Sequence, residues 1–151
     1  MPNWIEGTMK VRGKADALMK FVENAFGGDI RKEDGEDYAE YTIPKRTYIQ
    51  DSRRAFTSDE WDLDVCIEKD DRIQTITLPI KQAWSFTPAD GEEQRWVRLA
   101  EEYGVDIRLQ GFECGMEFYQ DLAIVGGRIT IDKVVEYDDW AWDCPMPDLG
   151  G

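Results

Sequence analysis

The spacing of apolar residues changes period along the chain, and each change marks an element. Trp4 to Val11 reads as a strand that ends at Gly13. From there Ala15, Leu18, Met19, Val22, Ala25 and Phe26 fall on one face of a helix, which the pair Gly27-Gly28 stops. The polar stretch DIRKEDGED (29–37) reads as a loop, and YAEYTI (38–43) as a short strand closed by Pro44. Between Lys45 and Ser58 no period holds, and a short strand over Thr47 to Gln50 is the one candidate.

The segment EWDLDVCIE (60–68) alternates strictly. Trp61, Leu63, Val65 and Ile67 predict a buried face, and Glu60, Asp62, Asp64 and Glu68 an outward ladder of carboxylates. A turn at Lys69-Asp70-Asp71 and a second alternating run, RIQTITLPIKQAW (72–84), predict that the two strands form a hairpin. Asp90-Gly-Glu-Glu93 has the spacing of a capping box, and Trp96, Leu99, Ala100 and Tyr103 follow at helical intervals before Gly104. Three more strands are predicted at Val105 to Leu109, Met116 to Tyr119 and Gly127 to Tyr137. No repeat or flexible linker interrupts the chain, so residues 1–151 are expected to form one domain, with 138–151 (DDWAWDCPMPDLGG) as an acidic, aromatic tail. The order β-α-β-β-β-α-β-β-β predicts an α+β fold, a ferredoxin-like sandwich with two helices packed on one face of a largely antiparallel sheet.

Charge then narrows the function. Eighteen basic residues against 32 acidic ones leave −14 at pH 7. Such a chain repels nucleic acid and anionic lipid and is drawn to basic surfaces, so neither direct nucleic-acid binding nor membrane attachment is expected. The chain has no histidine, which removes Ser-His-Asp and Cys-His catalysis. Cys66, Cys114 and Cys144 form no CxxC pair, so neither a zinc site nor a disulfide framework is expected. Cys114 stands between Glu113 and Glu117, whose charges would raise a thiol pKa, and it reads as structural. No GxGxxG, P-loop or calcium-loop spacing occurs, so no cofactor and no metal are expected. The first residues do not read as a signal peptide, and no apolar run reaches membrane length, which leaves a soluble, cytoplasmic protein as the expectation.

Several stretches carry a resemblance. The opening MPNW, then AWSFTP (83–88), AEEYG (100–104), VDIRLQGFECGMEFY (105–119) and GGRI (126–129) resemble the YubB-like proteins of phages and plasmids. The likeness to that family's ferredoxin-like C-terminal domain is strongest over 60–137, and residues 28–58 match poorly. The family is of unknown function, so the resemblance implies a fold and a mobile-element origin, in a host cell's cytoplasm, and no reaction.

The carboxylate ladder is the feature that asks for a partner. Same-face residues on a strand lie about 6.7 Å apart, about twice the axial rise per phosphate of one DNA strand. Glu60, Asp62, Asp64, Glu68, Asp70 and Asp71 are the first candidate binding residues. Asp138, Asp139 and Asp143 support them, and Trp140 and Trp142 are candidate aromatic anchors. A second, weaker ladder is expected at Asp132, Glu136 and Asp138. The bland reading is a solvated edge strand, with Arg46, Arg53, Arg54 or Arg72 neutralising its acids. The functional reading is a non-enzymatic protein that binds a basic, nucleic-acid-binding surface of a host protein as a nucleic-acid mimic, for instance an anti-CRISPR or other inhibitor of a defence nuclease. The alternatives are a carboxylate-based or metal-assisted enzyme and a self-associating structural protein such as a homodimer.

Overall fold

The structure, a computed structural model, describes residues 2–50 and 54–151. Its centre is β1 (Trp4–Gly13), whose alternation buries Ile5, Met9 and Val11 and turns Thr8, Lys10 and Arg12 to solvent. β1 pairs antiparallel along its whole length with β6 (Gln74–Ala83), from Trp4 opposite Ala83 to Gly13 opposite Gln74. On its other side it pairs antiparallel with β7 (Asp106–Glu113). β4 (Ala55–Phe56) extends the sheet beyond β6, and β8 (Phe118–Val125) and β9 (Arg128–Glu136) extend it beyond β7, giving the order β4-β6-β1-β7-β8-β9. A separate antiparallel sheet has the order β2-β3-β5, from β2 (Arg31–Asp34), β3 (Tyr38–Ile43) and β5 (Leu63–Glu68).

One core joins these parts. The large sheet contributes Ile5, Met9 and Val11 from β1, Ile76, Leu78 and Ile80 from β6, Ile107 and Leu109 from β7, and Leu122 and Ile124 from β8. Against them pack Leu18, Phe21 and Val22 of α1 (Ala15–Asn24), Trp96 and Leu99 of α2 (Arg95–Tyr103), and the inner face of the small sheet, where Tyr41, Ile43, Val65 and Ile67 lie. The helices and the small sheet therefore cover the same side of the large sheet, whose other face is open apart from the C-terminal tail near Glu6 among the described residues. At the centre Gly7 stands opposite Gly111. A Cβ on Gly7 would overlap the Gln110 carbonyl oxygen, and one on Gly111 would press on Ile5 Cγ1 and Phe86 Cζ, both at 2.9 Å, so bare backbone is what lets Phe86 seat there.

The ferredoxin-like expectation is corrected by this topology. The chain is mostly β, 45% strand against 16% helix, in a six-stranded and a three-stranded antiparallel sheet with three short helices. After α1 the chain does not return to the first sheet, as a ferredoxin-like crossover must; it builds the second sheet instead. The stretch expected as a loop, DIRKEDGED, holds β2, whose four residues are all charged and exposed and so show no period. The expected hairpin of 60–68 with 72–84 does not form either. β5 pairs with β3, and the Glu68 backbone is bonded by the Gln74 side chain, which accepts from its N–H at 2.9 Å and donates to its carbonyl at 2.7 Å. The helix expected from a capping box at Asp90 begins later, at Arg95, with Gln94 as its N-cap accepting from Trp96 N. Gly91, at φ +81°, turns the chain ahead of it.

Two turns behave as the glycines imply. Gly104, at φ +64°, caps α2 in the left-handed region, and Gly126-Gly127, at +60° and +75°, make the two-residue connection of the β8–β9 hairpin, where Val125 faces Arg128. The acidic tail is folded back on the sheet. It forms α3 (Trp140–Asp143), and its end bonds β1, with Gly151 N donating to Trp4 O at 2.8 Å.

Candidate partner-binding surface

β5 sets the predicted parity. Leu63, Val65 and Ile67 are buried, and Asp64, Cys66 and Glu68 face solvent. Strand pairing turns that ladder into a two-dimensional patch. Across the small sheet Glu33 stands opposite Glu40, which stands opposite Cys66; Arg31, Thr42 and Asp64 form the next row, and Tyr38 faces Glu68. Glu40 thus sits on the middle strand with Glu33 beside it and Asp64 and Glu68 at its diagonals. Residues 31–43 and 59–72 together hold twelve carboxylates and four basic side chains.

Sequence reasoning missed Glu33 and Glu40. The alternation of Glu40 with Ala39 and Tyr41 could have placed it outward; nothing in RKED could have placed Glu33, because a strand polar on both faces has no period.

Some of the ladder is neutralised. Arg72 reaches the carboxylates of both Glu68 and Asp70, the latter at 2.8 Å, and Lys69 takes Asp34. The Lys69 and Arg72 pairs with Asp34 and Glu68 are close contacts. The Lys69 ammonium holds the Asp34 carboxyl below the usual carboxylate range, and the Glu23 carboxylate raises the Lys32 ammonium beside it. Lys81 lies 3.4 Å from Asp59. Among the described residues Glu33, Glu40, Glu60, Asp62, Asp64 and Asp71 have no basic side chain within 4 Å. Asp62 accepts from Lys45 N at 3.0 Å and Asp64 from the Thr42 hydroxyl at 3.2 Å, which orient both without removing their charge. Arg46 stacks over Phe56 instead, and Arg53 lies outside the described residues.

The aromatic anchors fall differently from expectation. Trp61, read as inward, is 59% exposed, because β5 begins only at Leu63 and the preceding turn carries Trp61 outward between Glu60 and Asp62. Trp140 is 9% exposed, with its ring 5.5 Å from that of Tyr137 and its indole N–H donating to Pro147 O at 2.9 Å. Burial there pushes the Tyr137 hydroxyl pKa up. Trp142, on the opposite side of α3, is 85% exposed beside Asp139, which caps the helix through Trp142 N, and Asp143.

The two ladders are not brought together. β5 packs beside α1 and β6, while β9 lies at the far edge of the large sheet, four strand spacings or about 19 Å from β6. Asp132 and Glu136 stand on β9's helix-side face by their pairing with Leu122 and Phe118. The open face of the large sheet has the opposite character. Lys10, Arg12, Lys81, Arg108, Arg128 and Lys133 lie on it with three acids, Glu6, Asp106 and Asp121. The negative charge is therefore concentrated on the side of the small sheet.

Among the described residues no three Cys, Asp or Glu side chains converge as a metal site requires. A cavity of about 540 Å³ between β4, β6 and the segment before α2 has Arg54, Arg95 and Arg98 in its wall, and its carboxylates Glu92 and Glu93 are exposed, Glu93 lying 3.6 Å from Arg98. Cys114 donates to the Gly150 carbonyl at 3.1 Å and ties down the tail. Within the described residues no helix is long and apolar enough to cross a membrane. Comparison with protein-family models, with curated proteins and with solved structures finds no match for this chain.

Proposed function

We propose that the chain is a non-enzymatic interaction protein of mobile-element origin whose small sheet docks on a basic, nucleic-acid-binding surface of a host protein and blocks it. A defence nuclease such as a CRISPR effector is the kind of target this reading names. The observation that carries it is the outward patch of Glu33, Glu40, Asp62, Asp64 and Glu68 with Trp61 exposed at its border. Carboxylates spaced about 5 Å across strands and about 7 Å along them give a dense negative lattice on a rigid support. Such a field speeds encounter with a basic surface and supplies orientation, while a half-exposed tryptophan supplies area that desolvates on contact. Like charges placed side by side cost stability, so a sheet that keeps them side by side spends folding energy on its outer face.

The test is capture and identification of the partner from host lysate, followed by competition with nucleic acid. Capture falls steeply between low and high salt, oligonucleotide displaces the protein from its partner, and Asp62→Lys/Asp64→Lys abolishes capture with the thermal midpoint retained. If that double variant captures the same partner with unchanged salt dependence, the acids are only a wetted surface.

A further inference from the structure

Three of the four sheet edges are blunted. β4 has two residues, β2 has four that are all charged, and β5 lies against α1 and β6. The edge at β9 is built differently. It runs nine residues, no strand of the described chain pairs with its outer side, and it carries Ile129, Ile131, Val134 and Val135. Ile129 is 45% and Val134 54% exposed. The tail does not cover it, because from Tyr137 the chain crosses the end of the sheet to bond Trp4 and Glu6. A long edge with exposed apolar side chains and unpaired backbone groups is the feature natural sheets usually remove. Here the edge is protected in part, by the charged side chains of Arg128, Asp132, Lys133 and Glu136 and by a bulge at Thr130, between Ile129 opposite Ile124 and Ile131 opposite Ala123.

We propose that the regular part of this edge, Ile131 to Glu136, accepts an extended segment of a partner protein as an added antiparallel strand. Direct cross-strand neighbours share a face, so β9 specifies the chemistry of its occupant. On the helix side the added strand meets Asp132, Val134 and Glu136; on the open side it meets Ile131, Lys133 and Val135. Written from the residue facing Glu136 to the one facing Ile131, the complementary strand is basic, apolar, apolar, acidic, basic, apolar. Main-chain bonds would give affinity and these side chains the register. A second copy of β9 fits poorly. A two-fold antiparallel register centred on Asp132 opposes Asp132 to itself, one centred on Lys133 opposes Lys133 to itself, one centred on Val134 opposes Asp132 to Glu136 twice, and one centred on Val135 opposes Glu136 to Val134 twice and makes no ion pair within 131–136. The net charge of −14 adds long-range repulsion between copies. This site is separate from the acidic sheet and does not depend on it.

The experiment titrates the isotopically labelled full chain with two capped peptides, one containing Lys-Val-Val-Glu-Lys-Val and one with its charges exchanged, Glu-Val-Val-Lys-Glu-Val. The first is expected to shift and protect amides of 131–136. The second is expected to bind about tenfold or more weakly, because three cross-strand charge pairs change sign. The triple variant Asp132→Lys/Lys133→Glu/Glu136→Lys, all exposed positions, is expected to stay folded, with a midpoint lowered by a few degrees at most because residue 133 faces Asp121, and to reverse the preference. Equal binding of both peptides, a preference unchanged in the triple variant, or shifts lying away from β9 would overturn the proposal. Concentration-dependent protection of β9 without peptide would overturn it too, by assigning the edge to a second copy.

Discussion

Glu40→Lys separates a binding surface from an ordinary wet one, because it should make the protein more stable and less able to bind. Glu40 stands on the central strand of the small sheet, directly opposite Glu33 and diagonal to Asp64, to Glu68, whose charge Arg72 offsets, and to Arg31. Among the described residues neither Glu33 nor Glu40 has a basic side chain within ion-pair distance. At about 5 Å in water two unit charges repel by about 0.8 kcal/mol, and at about 7.5 Å by about 0.6 kcal/mol. Screening with a Debye length of about 8 Å roughly halves these at physiological salt. The residual repulsion on Glu40, with Glu68 offset by Arg72 and less the attraction of Arg31, is about 0.5 kcal/mol, and reversing the charge doubles the change to about 1 kcal/mol of added stability. Lysine and glutamate have similar strand propensity, so little offsets that gain.

For a chain of this length about 1 kcal/mol raises the thermal midpoint by about 2–4 °C. Glu40→Gln should give about half of that, and at 1 M salt, where the Debye length is about 3 Å, both gains should shrink to a few tenths of a kcal/mol. Differential scanning calorimetry at two salt concentrations reads all of it, and partner capture is measured on the same samples. A midpoint that falls, or one that rises equally at both salt concentrations, would refute the electrostatic account of this face.

Three further outcomes follow from the packing. Tyr41 is fully buried with its hydroxyl unpaired, so Tyr41→Phe should be neutral or stabilise by up to about 1 kcal/mol in urea unfolding. Burial raises its pKa above the ordinary 10.0, so the protonated form is favoured in the folded state. The corresponding stability is intact below about pH 10 and is lost as pH rises through the raised value, and Tyr41→Phe should flatten the loss of stability in that alkaline window. Gly7→Ala should cost about 3 kcal/mol by forcing β1 from β7, seen as a drop in denaturation midpoint; a silent substitution would contradict the close approach. Trp140→Ala should cost about 3 kcal/mol and loosen the tail, read by proteolysis, whereas Trp142→Ala should change stability by less than about 0.5 kcal/mol.

The parts of the fold that were legible in the sequence are those whose buried face meets a single layer. β1, α1, β3, β5 and the α2 segment around Trp96 and Leu99 each show one period because one side of each faces water. β8 hid for the opposite reason. Gln120, Asp121, Leu122, Ala123 and Ile124 are all buried, so the strand does not alternate, and its polar residues resemble a break. They are tolerated because they are satisfied: Gln120 accepts from Phe86 N at 2.9 Å and donates to the Thr87 hydroxyl at 2.9 Å, and Asp121 accepts two bonds from Arg108, at 3.1 and 2.7 Å. That carboxylate raises the Arg108 guanidinium further above its usual range. β4, two residues long, was beyond any pattern.

Partner choice between strands was the larger loss, and it bears directly on the proposed binding surface. Alternation in 60–68 fixes which side chains of that strand point outward, but not which strand lies beside it. Had β5 paired with β6, the exposed residues Thr75 and Thr77 would have flanked the ladder, and the acids would have formed a single line. Pairing with β3 puts Glu40 next to the line and Glu33 beyond it, so a row becomes a lattice. The density of negative charge is thus a property of topology. The proposed docking on a basic surface rests on that gathering, because a single line of acids would present a narrower field.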